Sequence, residues 1–130
     1  MAKTKVKKMN FIIPLVVYPF DVMVSFGQTN EEVEVLFEEY NLTAEDVAIA
    51  TITSRTVRGR TVMFSTNQTL IRIVDYPVSC LDYGNLQHEI FHAVTFIMDR
   101  IGMKLVVEES DEAYAYMVGY LTTEIYKRIK

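Results

Sequence analysis

The chain holds only two histidines, His88 and His92, and both fall in the stretch HEIFHAV with Glu89 directly after the first. On a helix, residues four apart project from the same side, one turn above the other. The two imidazoles would therefore converge on one point. Zinc accepts neutral imidazole nitrogens, and a carboxylate beside the pair can act as general base on water whose pKa the metal has lowered. Two histidines placed at random, with Glu after the first, produce this arrangement in roughly one chain in a thousand of this composition.

A catalytic zinc takes three protein ligands and keeps one position open. With no third histidine, the remaining donor must be Asp, Glu or Cys. Downstream candidates are Glu108, Glu109, Asp111 and Glu112. Glu112 is preferred, because it heads a stripe of small residues, Ala115 and Gly119, that would let two helices approach closely. Glu109 is the next choice. Tyr114, Tyr116 and Tyr120 flank that stripe, and one could donate a hydrogen bond to a developing oxyanion. Asp99 could orient a ligand histidine from behind. Manganese, iron or cobalt would also suit such a ligand set.

These residues need a helix to carry them, and the pattern supplies one. Leu86, Ile90, Val94 and Ile97 recur at helical spacing in NLQHEIFHAVTFIMDRIG, with Ala93 and Ile101 on the same side, Asp82 and Asn85 as capping residues, and Gly102 as the stop. MKLVVEE reads as an extended link. Ser110 then caps a last helix with acids at its start and Lys127 and Arg128 at its end. Upstream, FIIPLVVYPFDVMVSF reads as two short strands or one bent strand ending at Gly27. Thr29 or Asn30 opens a helix, and Thr43 with Asp46 forms a capping box before another helical turn. Runs near residues 60–65 and 69–74, joined through Ser65–Gln68, form an antiparallel hairpin. The expected fold is α+β, a small antiparallel or mixed sheet packed on the motif helix and the C-terminal helix.

Of the 130 residues, 50% are hydrophobic and 23% charged, and the formal net charge is -4. That composition fits one globular domain, placed at 11–130 behind a flexible basic N-terminus at 1–10, and it argues against nucleic acid as a partner. Lys3, Lys5, Lys7 and Lys8 are read as a solvated end, and Arg55, Arg58 and Arg60 as solubilising charge near a loop or edge. The apolar run after the lysines is interrupted by Pro14 and Pro19, is too short to span a bilayer, and lacks the small-residue site of a leader, so neither membrane nor secretion is expected. Cys80 is the single cysteine. It is read as a small buried or half-buried filler in a reducing, cytoplasmic setting.

HEIFH, followed after twenty residues by EAYAY, resembles the gluzincins, zinc metallopeptidases that take two histidines from His-Glu-x-x-His and a glutamate from a later helix. The small size is similar to minigluzincins and to related peptidases of phages and mobile elements. The wider stretch from YPFDVMVSFGQT to SDEAYAYMVGYLTTEIYK looks like a set of bacteriophage proteins taken to be peptidases. The resemblance implies a zincin-like fold and a metallopeptidase acting on peptide or protein, cytoplasmic or virion-associated. His88, His92 and Glu112 match the zinc ligands and Glu89 the general base, and the edge of the 60–74 hairpin would bind extended substrate. The chain departs from the family in lacking a downstream histidine and a C-terminal substrate subdomain. The competing expectation is a non-catalytic phage structural or interaction protein that retains a metal site.

Overall fold

Four strands supply the hydrogen-bonded centre of the molecule in the computed structural model, which describes residues 7–15, 18, 20–53 and 57–129. They are β1 (Met9–Pro14), β2 (Asp21–Phe26), β3 (Gly59–Met63) and β4 (Thr69–Ile73), in the order β1-β2-β4-β3. β1 with β2 and β3 with β4 are antiparallel, whereas β2 and β4 are parallel, so the sheet is mixed. The helices are α1 (Asn30–Glu34), continued by a 3-10 turn over Val35–Phe37, then α2 (Ala44–Ala50), α3 (Cys80–Arg100) and α4 (Asp111–Arg128). The α+β class holds. Pairing of β1 begins at Met9, two residues inside the expected N-terminal arm, and Lys8 is tied to Glu32 at 2.8 Å. That bond, with the cap amide of Thr29, pulls the Glu32 carboxyl down to about 2. Lys3, Lys5, Pro19 and Arg55 lie outside the described residues.

The side-chain alternation of the strands sends apolar groups to both faces. Val22, Val24, Phe26, Ile71 and Ile73 meet Leu86, Ile90, Ala93, Val94 and Ile97 of α3 and Leu121 and Ile125 of α4. Met23, Val62, Phe64 and Leu70 meet Val33, Phe37 and Ala50 on the other side. Every residue of β4 is buried, as a central strand covered by helices on both faces must be. Sequence periodicity anticipates the α3–α4 layer but not that α1 and α2 cover the opposite face. No described helix is long and apolar enough to cross a membrane.

Local chemistry sets the helix starts. Thr29, Thr43 and Ser79 each form a reciprocal capping box, with Glu32, Asp46 and Asp82 respectively. The Ser79 cap starts α3 at Cys80, several residues before the apolar periodicity does, and leaves Gly84 inside the helix. Cys80 is consequently an exposed first-turn residue, not a core filler. Gly102 ends α3 as expected, at φ +81, with its amide donating to the Asp99 carbonyl at 2.9 Å. The second half of the link after it is not extended. Residues 107–110 form turns, Glu108 sits at φ 68, and the Ser110 hydroxyl bonds Val106 N and the Lys104 carbonyl instead of capping α4.

Asp46 does more than cap α2. Its carboxylate also accepts from Ser65 N at 3.0 Å and Ser65 Oγ at 2.6 Å, fastening α2 to the β3–β4 turn. The Ser65 hydroxyl is the largest influence holding the Asp46 carboxyl below its ordinary 3.8, against the opposing effect of burial. A carboxyl depressed by folding stabilises above its unfolded pKa, and that stabilisation is lost as pH falls through the folded value. Asp46→Asn is expected to cost about 1–2 kcal/mol at neutral pH. Urea midpoints of the two proteins should differ steadily down to about pH 4 and converge below it. A gap that persists undiminished at acid pH would remove ionised Asp46 from the account.

Candidate functional site

α3 buries Leu86, Ile90, Ala93, Val94, Ile97 and Met98 against the sheet, which leaves its opposite side to solvent. His88 and His92 stand there, both exposed. Their Nε2 atoms are 3.1 Å apart, with ring centroids 4.7 Å apart and planes at 75°. Such a pair is either a hydrogen bond between one donor and one acceptor nitrogen, or two corners of a coordination shell. Two imidazoles on a tetrahedral zinc, each at about 2.0–2.1 Å, have nitrogens about 3.3 Å apart, close to the spacing seen. The ring of Phe96 stacks on His92 at 6.4 Å and 23°, and Thr95 Oγ1 bonds the His92 carbonyl at 2.8 Å.

Glu89 occupies the flank of α3 that faces β3. It is only 8% exposed although the next residue toward the N-terminus is a solvent-facing histidine. A buried carboxylate needs partners. Thr61 of β3 supplies one: its Oγ1 lies 2.9 Å from Glu89 Oε1 and 3.1 Å from the Glu89 carbonyl. Glu89 Oε2 is 4.0 Å from His88 Nε2, so the second oxygen lies on the histidine side. Gly59 lets β3 pass this close, since a Cβ there would stand 2.9 Å from Glu89 Cγ and 3.1 Å from Ile73 Cδ1. The hollow beside this flank is lined by Arg58, Ile73, Asp75, Asp82 and Asn85, with Arg58 paired to Asp75 at 3.4 Å.

Other expected members of the site are placed elsewhere. Glu112 is exposed in the first turn of α4. Ala115 and Gly119 are exposed as well, and a Cβ on Gly119 would meet open space. The small-residue stripe therefore faces solvent, and α4 meets the core through Tyr114, Leu121 and Ile125. Gln87 bonds Thr122 and Tyr126, which sets the helices antiparallel with the start of α4 near the end of α3. Along that pairing Glu112 falls about two turns beyond His92. Glu108, Glu109 and Asp111 sit in or beside the turn before α4. Among the described residues no three of His, Cys, Asp and Glu group so as to hold a metal ion. Tyr114 and Tyr120 direct their hydroxyls to the carbonyls of Met103 and Pro14, and Tyr116 is 73% exposed. Asp99 has no hydrogen bond to either imidazole among the described residues; Asp82 serves the Ser79 cap.

Sequence reasoning missed Thr61 and Gly59. The signal available was the alternation Gly59, Thr61, Met63 on one face of a predicted edge strand, a small residue and a hydroxyl where apolar groups are usual. That alternation cannot say which helix lies opposite. No protein-family model, curated protein or solved structure matches the chain.

Proposed function

We propose that the protein is a small zinc-dependent hydrolase, most simply a metallopeptidase. The observation that carries this reading is the convergence of His88 Nε2 and His92 Nε2 to 3.1 Å with Glu89 Oε2 on the same side at 4.0 Å. The two imidazoles fit two corners of a tetrahedral zinc. When bound, zinc would polarise a carbonyl and ease deprotonation of water. Glu89 would take the proton from attacking water and return it to the leaving amine. Its enclosed flank keeps bulk water from one oxygen while the other faces the histidines. β3 is the free edge next to that flank, suited to an extended peptide lying alongside the site.

The glutamate ligand that the resemblance assigns is Glu112, and binding through it would require α4 to move along α3 by about two turns. In the arrangement described, Glu112→Ala is expected to alter zinc affinity by less than about threefold, because first-turn acids at exposed positions contribute chiefly to the helix dipole. A loss as large as that of His92→Ala, read by zinc titration, would show instead that α4 rearranges when metal binds.

The second reading is a binding protein that keeps a metal site without catalysis. It differs from the first only in the role of Glu89, whose Oε1 is held by the Thr61 hydroxyl at 2.9 Å and which would then serve packing of α3 on β3 instead of proton transfer. Metal content by mass spectrometry after purification without chelators, followed by cleavage of labelled casein with Glu89→Gln as control, separates them. One equivalent of zinc with cleavage that Glu89→Gln lowers by about 100-fold or more supports the hydrolase. Zinc without cleavage supports the binding protein, and no zinc even when supplied removes both.

A further inference from the structure

Glu89 is 8% exposed, and its side-chain hydrogen bond goes to a different element, the edge strand β3. We infer that Thr61 is a positioning residue for Glu89: its hydroxyl holds Oε1 against β3 and thereby presents Oε2 to the histidine side of α3. This inference rests on the reading of Glu89 as the base of a zinc hydrolase.

Three observations converge on it. The Thr61 hydroxyl is the side-chain partner of Oε1, at 2.9 Å, and sits at 3.1 Å from the carbonyl of the same residue. Gly59, two residues earlier on the same face of β3, leaves the space that the Glu89 side chain fills, with a Cβ excluded at 2.9 Å from Cγ and 3.3 Å from Cδ. The oxygen not held by Thr61 is the one that lies 4.0 Å from His88 Nε2. Valine has the shape of threonine without the hydroxyl and is at home in a strand, whereas serine keeps the hydroxyl.

The test uses the full chain labelled with carbon-13 glutamate, first without added metal. The Glu89 Cδ resonance is assigned by its loss in Glu89→Gln. Thr61→Val is expected to move that resonance and Thr61→Ser to leave it near its original position. Gly59→Ala, which pushes on the carboxylate while keeping the hydroxyl, should move it too. In the zinc-supplied protein, Thr61→Val should lower kcat on labelled casein about 10- to 100-fold with KM little changed, and Thr61→Ser should restore most of it. Zinc affinity should be the same in all three. If the unaltered chain binds zinc but cleaves nothing, the hydrolase reading fails, and the carbon-13 comparison still decides whether Thr61 holds Glu89. A Glu89 resonance that is the same in Thr61→Val as in the unaltered chain overturns the inference, whatever the activity shows.

Discussion

His92→Ala is expected to remove zinc binding at micromolar metal, with the fold intact. Both halves follow from geometry. His92 contributes one of two nitrogens that stand 3.1 Å apart. Structural zinc sites gather about 10–16 kcal/mol from four ligands, so one ligand is worth about 3 kcal/mol, on the order of 100-fold in affinity. The ring itself is exposed, and its hydrogen-bonding and stacking partners, His88 and Phe96, are exposed too, so its removal opens no cavity in the core. Stability without metal should change by less than about 1 kcal/mol. Isothermal titration with zinc and urea unfolding of the metal-free proteins make the two measurements. Equal zinc affinity in His92→Ala and the unaltered chain would mean that the pair is only a hydrogen-bonded ornament of a surface, and the proposed hydrolase would lose its centre. Loss of fold on the same substitution would show that His92 carries structure that its exposure does not reveal.

Arg72→Ala is expected to lower stability by about 3–4 kcal/mol, the largest effect anticipated away from the core hydrophobics. Arg72 lies on β4, covered on both faces, and is 5% exposed. Its guanidinium donates to Asn30 Oδ1, to the Ala50 carbonyl at 3.1 Å and to the Gln28 carbonyl at 2.9 Å. Asn30 in turn clamps Ile52, donating to its carbonyl and accepting from its amide at 3.1 Å each. One side chain thus ties the centre of the sheet to the start of α1 and the exit of α2. Burial pulls the guanidinium pKa down, with Glu31 opposing, yet arginine starts so high that it stays charged. Its removal leaves buried acceptors without donors as well as an empty stem volume. Arg72→Met refills the stem and not the fork, so the difference between the two variants isolates the polar contacts. A melting shift of about 10 °C for Arg72→Ala would match the expected loss in a chain of this size. A loss under about 1 kcal/mol would mean that water replaces the guanidinium at those acceptors.

How much of this was legible in the residues depends on the range of the interactions involved. The convergence of His88 and His92, a helix start at Thr29 or Asn30, the capping box at Thr43, the hairpin turn at Ser65–Gln68 and the stop at Gly102 all follow from geometry within a few residues, and all appear as the patterns require, with Thr29 as the cap. The mixed α+β class was legible for the same reason. By itself the sequence determined that two imidazoles share one side of a helix with a glutamate beside them. Only the tertiary structure decided what each of those groups meets. Glu89 became a buried, hydroxyl-held carboxylate because an edge strand with Gly59 and Thr61 packs on its flank. Ala115 and Gly119 looked like a helix-packing stripe but face solvent, because Tyr114, Leu121 and Ile125 bury more apolar surface when they turn inward. Glu112 was carried away from the histidines by the antiparallel offset of α4, which the Gln87 contacts with Thr122 and Tyr126 express. Nothing in the spacing of residues 69–74 marks Arg72, and only the covering of both sheet faces made it a buried tie. Spacing along the chain sets which groups share a face, whereas their partners depend on how separate elements bury their apolar sides.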